Sequence, residues 1–273
     1  MSKGESPRGW GAVLTLGVLL WVFFLILFPF LGILRETARE GWRAAFLTLR
    51  TPEALHAFRL TFSITLWAVV LNTLGGTLLA WVLARQKFRG RLWLESLVDL
   101  PFAVSPVVAG FMFILLFGPR GWLGPWFESH GIKVVYAFPG MVLATLFVTL
   151  PFVAKEILPV LREVGTDQEE AALTLGASPV QVFFRITLPS IRWGLLYGVV
   201  LTIARSLGEF GAVLVVSGSI INSTETATVY IHDRFTDFQY AGAFAASLVL
   251  AAVSFLVLFI MQSLLKRRSQ EER

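Results

Sequence analysis

"EEAALTLGASPVQVFFRITLP", residues 169–189, is an acid-bearing passage set between stretches apolar enough to lie in lipid. Those stretches decide the fold class. Trp10–Leu34, Leu60–Ala84, Leu100–Phe117, Val134–Ala154 and Ala241–Leu265 carry no charged residue, and Trp193–Ile220 carries only Arg205 and Glu209. A helix rises about 1.5 Å per residue and the hydrocarbon core is about 30 Å thick, so about 20 apolar residues make a crossing. Six such runs predict an all-α polytopic membrane protein with six transmembrane helices. The quoted passage becomes a pair of short helices between spans four and five. Composition agrees: 56% of the 273 residues are hydrophobic and the mean hydropathy is +0.72, well above a soluble domain. The first run follows Lys3 and Arg8 but is longer than a secretion signal and lacks an A-x-A-like exit, so it reads as span one.

Within the passage the local signals are dense. Thr166 with Glu169 has capping-box spacing, with Asp167 and Glu170 as an alternative in the next register. The acids fall in a first turn, where the helix dipole favours them. Gly176 supplies a stop. Ser178, Pro179 and Gln181 then read as the cap, first position and box partner of a second helix. Val180, Phe183 and Phe184 share one face, and Pro189 interrupts the helix before span five. Ala171 and Ala172 leave room for a close neighbour. These signals leave two readings open, a linker packed on its own bundle or a docking element for a partner.

Lys and Arg set the orientation. Fourteen fall on the side of the termini and eight on the other, which places both termini and the loop 155–192 in the cytoplasm. Arg85, Lys87, Arg89 and Arg91 hug one span end, as do Lys266, Arg267 and Arg268 another. "RETAREGWR" is predicted to lie as an amphipathic helix on the outer surface, and Thr51–Pro52 to open the next helix. Trp10, Trp81, Trp93, Trp122, Trp126 and Trp193 fall near span ends, as an aromatic belt does. The net charge of +5 is thus a topology signal, without the clustered basic face that nucleic acid requires. The expected organisation is a tail 1–9, one transmembrane domain 10–268 and a tail 269–273. With no cysteine, thiolate sites and disulfides are excluded, and His56, His130 and His232 lack metal-ligand spacing.

Some features inside the spans are unusual. Arg205 and Glu209 stand four apart, so on one helix they share a face and can pair. One reading makes them an anion path or gate; the cost of burying a charge favours a self-neutralising structural pair. Pro101 and Pro106 break span three, where freed amides and Ser105 can meet an anion or simply mark a kink. Gly75 and Gly76 suggest close helix packing.

The passage also carries a resemblance. "EAALTLGASPVQVFFRITLP" matches the E-A-A-x3-G-x9-I-x-L-P signature of the inner-membrane permeases of ATP-binding-cassette importers, with Glu170, Ala171, Ala172, Gly176, Ile186, Leu188 and Pro189 at its positions. "NTLGGTLLAWVLAR" (72–85), "LPFAVSPVVAG" (100–110) and "YGVVLTIARSLGEFGAVLVVSGSI" (197–220) look like the sulfate, thiosulfate and molybdate branch, and "VVSGSI" points to its sulfate/thiosulfate members. The resemblance covers roughly residues 51–268. It implies that the helix pair docks on a separate ATPase dimer, which binds the ATP and magnesium, so this chain has no catalytic residue, metal or cofactor of its own. It also implies a second permease subunit, homologous or identical, and an extracytoplasmic sulfate/thiosulfate-binding protein, all in the inner membrane or at its surface. No G-x-x-x-x-G-K-[ST] loop occurs, in keeping with a motor on another chain. A molybdate or tungstate permease is the near alternative. A secondary anion transporter or channel would want repeated halves and midplane ionisable groups. An intramembrane enzyme would want a catalytic constellation that the spans lack.

Overall fold

The computed structural model describes residues 8–271; residues 1–7 of the N-terminal tail and 272–273 of the C-terminal one lie outside them. Among the described residues the chain is helical with connecting turns and no strand. Five helices are long and apolar enough to cross a membrane: Gly11–Glu40, Pro52–Arg85, Phe138–Val164, Pro179–Leu207 and Tyr240–Ile260. The helices Arg91–Ala103 and Pro106–Phe117 pass that test only together, bent by 113°.

That bent pair is span three, and its neighbours along the Phe138–Val164 helix show that it makes a crossing. Glu95 pairs with Arg162, Asp99 with Lys155, and the Phe102 ring meets Phe152. Beyond the bend Phe113 meets Phe147. The partners fall steadily in number, so the chain keeps moving toward one end of the bundle and does not fold back. Six crossings result. The expected run began at Leu100; the helix starts nine residues earlier, because Glu95 and Asp99 are paired with bases on the next span. Those acids had excluded the segment on charge alone.

Prolines shape two further spans. Phe23–Leu27 and Phe183–Thr187 are π-helical turns, each followed directly by an X-Pro pair, Phe28-Pro29 and Leu188-Pro189. A proline cannot donate to a helical carbonyl and its ring crowds the one four residues back. The wider π turn removes that carbonyl from the way. Pro189 therefore does not interrupt the helix; Pro179–Leu207 runs through it as one span. Similarly "RETARE" is not a separate surface helix, since it continues span one to Glu40, where Gly41 at φ 96° turns the chain into Trp42–Leu49.

Span five departs most from expectation. The run Trp193–Ile220 is not one helix. It ends at Leu207, breaks over Gly208–Phe210, and resumes as Gly211–Ser217. The two broken spans meet at their breaks. A side chain at Gly211 would lie 3.2 Å from Pro106 Cβ, and one at Gly110 would lie 2.8 Å from Val215 Cβ. Close approach here depends on glycine, as it does at Gly76, 2.9 Å from Val153 by the same measure. Gly75 faces open space, so only one of the two expected packing glycines packs.

The core is layered along the bundle axis. Ala80, Leu83, Val153, Ile157, Leu161 and Ile191 fill the end nearest residues 165–182. Ile64, Met141, Val213 and Val229 fill the other. Between the layers Asn72 Nδ2 donates to Thr149 Oγ1 at 2.7 Å, both residues buried.

A candidate coupling surface at one end of the bundle

Val164 ends span four, and Gly165 at φ 69° turns the chain sideways. Asp167–Thr174 follows as a helix with Asp167, Glu169 and Glu170 in its first turn. The expected capping box does not form: Thr166 makes no side-chain cap. Glu169 has a stronger partner. Arg85, the last residue of span two, meets it with two bonds, Nε to Oε2 at 2.9 Å and Nη2 to Oε1 at 3.1 Å. Two charged donors in a fork outcompete one neutral backbone amide for a carboxylate.

The far end of the helix forms as the sequence predicts. Gly176 sits at φ 88°, its N–H donates to Leu173 O at 3.0 Å, and the Ala177 N–H donates to Ala172 O at 3.0 Å. This pair of bonds is a Schellman stop. The second helix opens on a full capping box. The Ser178 N–H donates to Gln181 Oε1 at 2.9 Å and the Gln181 N–H to Ser178 Oγ at 3.3 Å.

The seven signature residues divide by environment. Glu170, Ala171, Gly176 and Pro189 are exposed, whereas Ala172, Ile186 and Leu188 are half-buried. Leu188 packs against the buried layer around Ile157 and Leu161. An apolar residue that sequence reasoning missed completes the outward face: Leu175 is 88% exposed at the elbow between the helices. Val180, Phe183 and Phe184 line one side of a trough of ≈ 530 Å³, with Leu74, Leu78 and Trp81 of span two opposite.

The intramembrane candidates lie at the breaks. Arg205 Nη2 stands 2.8 Å from Glu209 Oε2, with side chains 32% and 2% exposed. They pair although Glu209 lies beyond the helix end, so a shared helix face is not the cause. The other carboxylate oxygen accepts the Ala212 N–H at 2.9 Å, which closes the first turn of Gly211–Ser217. Thr228 Oγ1 donates to the Glu209 carbonyl at 2.7 Å. Glu209 is thus built into the break as its organiser. Ser105 sits exposed at the other break and caps nothing through its side chain.

At the opposite end of the bundle Arg234 pairs with Glu53, donates to Gln239 Oε1 at 2.7 Å and lies 4.9 Å over the Tyr230 ring. Nearby Glu225 is buried, and loss of water pushes its carboxyl up to about 7 despite Arg234.

Among the described residues the chain is thus a six-span helical bundle with two broken spans and an outward-facing helix pair at one end. Residues 76–270 match the model of the binding-protein-dependent transport system inner membrane component family, and the chain belongs to that family. A Synechocystis sp. protein named sulfate transport system permease protein CysW is 46% identical over 92% of this chain and 91% of its own length. The Escherichia coli K12 protein named sulfate transport system permease protein CysT is 38% identical over 94% of this chain and 93% of its own. In fold, the chain matches a chain of a bacterial alginate ABC transporter crystal structure with TM-score 0.80 at 17% identity, over 95% of both.

Proposed function

We propose that this chain is a CysW-type membrane subunit of an ATP-driven importer of sulfate. Its partners are an ATPase dimer, a homologous CysT-like permease and an extracytoplasmic sulfate-binding protein. The observation that carries the reading is the helix pair 167–182, capped at its elbow and second helix, bearing Glu170, Ala171 and Gly176 outward. The higher identity to the CysW relative than to the CysT relative supports the branch.

In this reading the helix pair docks on the ATPase, so its end of the bundle is cytoplasmic, and six crossings put both termini there too. ATP and its magnesium belong to the ATPase. Closure of the ATPases displaces the helix pair, and the spans follow. The two adjoining breaks give spans three and five an irregular backbone at membrane depth, tolerated where it is buried or lines a cavity. Ser105 and Arg205 stand beside the path there. Glu209 neutralises Arg205 between transport events, and a dianion passing the break competes for the same guanidinium.

The test is a complex reconstituted in vesicles from this chain, the three partners and ATP. The expected result is sulfate uptake with ATP hydrolysis stimulated by the sulfate-loaded binding protein. A chain that fails to co-purify with any ATPase refutes the importer, and stimulation by a molybdate-loaded binding protein alone refutes the substrate.

A further inference from the structure

The helix Asp167–Thr174 has no buried residue. Packing therefore does not fix it to the bundle. Both of its chain connections are glycine elbows, Gly165 at φ 69° and Gly176 at φ 88°, and neither has an atom within 4 Å of where a side chain would start. A helix pushed by a partner, held only by two such elbows, would swing without moving the spans. Something else must make the joint stiff.

That joint is Arg85. Its side chain is 8% exposed and its guanidinium donates to three segments at once. Nη1 donates to Leu161 O at 2.8 Å, Nη2 to Gly165 O at 2.7 Å, and Nε with Nη2 to the Glu169 carboxylate. Glu169 Oε1 also accepts the Thr187 O–H at 2.8 Å, which reaches the π turn in the first part of span five. One arginine thus ties the end of span two, the end of span four, the elbow and the loop helix, and through Glu169 the start of span five. Buried Leu83, Leu161 and Ile191 pack directly beneath.

We infer that Arg85 is the positioning residue that transmits displacement of the Asp167–Thr174 helix into the spans, with Glu169 as its contact on the moving part. The inference rests on the importer reading. It concerns different residues from the outward-facing Glu170, Ala171 and Gly176, which meet the ATPase; Arg85 and Glu169 face inward. A planar fork fixes both distance and angle, which a single ammonium contact does not, so lysine at this position keeps the charge and loses the joint.

The experiment uses the full reconstituted complex with sulfate-loaded binding protein and compares wild type, Arg85→Lys and Glu169→Gln. ATP hydrolysis and sulfate uptake are measured in the same vesicles, and ATPase retention by co-purification. Transmission predicts that both variants keep the ATPase and keep hydrolysing, while sulfate moved per ATP falls about tenfold, within the range usual for coupling between sites. Glu169→Gln is nearly isosteric, so it reports even if Arg85→Lys fails to assemble. An unchanged sulfate-to-ATP ratio in Glu169→Gln overturns the inference, and so does loss of the ATPase from both variants, which would make the cluster a plain docking scaffold. A wild-type complex that hydrolyses ATP without sulfate uptake strikes the importer reading itself, and the inference falls with it.

Discussion

Gly176 offers a test in which conformation and bulk separate cleanly. It holds φ 88°, and a Cβ built on it meets nothing within 4 Å. A side chain there costs left-handed backbone strain and no collision within this chain. For an ordinary L-residue that strain is about 1–2 kcal/mol, and asparagine pays less of it. A β-branched residue pays more. The helix it terminates has no buried residue to compensate. The strain therefore appears in the equilibrium between the docking geometry and others, as a factor of roughly 5–30 for alanine. Titrating purified ATPase onto permease variants in nanodiscs reads this directly. Affinity is expected to fall in the order Gly176→Asn, Gly176→Ala, Gly176→Val, with uptake following and membrane insertion unchanged. If valine docks as well as glycine, the elbow is not part of the docking geometry. If asparagine fails as badly as valine, steric contact with the ATPase governs the site and the conformational argument is wrong.

Three further outcomes follow from packing and charge. Gly76→Ala places a methyl group 2.9 Å from Val153 Cβ, and overpacking of that kind costs about 1–3 kcal/mol; Gly75→Ala meets only open space and gains about 0.5–1 kcal/mol of helix propensity, so melting temperatures in detergent should move in opposite directions. Removing Arg205 leaves Glu209 buried at 2% exposure, whereas removing the Glu209 charge leaves Arg205 one-third exposed, so Arg205→Ala should lower the melting temperature more than Glu209→Gln, with a double-mutant coupling of about 0.5–3 kcal/mol. Sulfate uptake should fall as well in Arg205→Ala, and full uptake in an assembled variant would remove Arg205 from the path. Glu225 is held at about 7 by desolvation, against 4.5 ordinarily. The folded state favours its neutral form, so the stability this contributes is complete below 4.5, declines as pH rises from 4.5 to about 7, and levels off having lost about 3 kcal/mol at most. Melting curves from pH 5 to 8 should show Glu225→Gln flatter than wild type by that amount, and equal slopes would remove Glu225 as their cause.

Much of this was legible because it is local. The apolar runs located the crossings, and Thr51, Gly176 and Ser178 announced their caps, because a cap depends on residues within a few positions. What failed depended on distant partners. Glu169 looked like the box partner of Thr166 until Arg85, 84 positions away, took its carboxylate. Glu95 and Asp99 read as the edge of span three until Arg162 and Lys155 neutralised them. Span five failed for another reason. Hydropathy scores side chains and not backbone, so an apolar run hides a broken helix. The signal present was "GEFG", residues 208–211, a carboxylate flanked by two helix-weakening glycines inside an apolar run.

The length of span two explains where charge is tolerated. Pro52–Arg85 has 34 residues, about 50 Å at 1.5 Å per residue, against about 30 Å of hydrocarbon. Both ends therefore project beyond lipid by roughly 10 Å, and both carry an ion pair there: Glu53 with Arg234 at one end, Arg85 with Glu169 at the other. Between them the helix buries uncharged polar groups, among them Asn72, which donates to Thr149, and Thr61, which accepts the Ala227 N–H. The Asn72–Thr149 contact divides the two apolar layers at mid-depth, beside the level where Phe102 meets Phe152 just before span three bends. Span two, held beyond lipid at each end, packs against span four and the broken span five, and the broken span three packs against span four as well. On the importer reading proposed above, displacement applied at Arg85 is carried along span two, while spans three and five have breaks at which to bend.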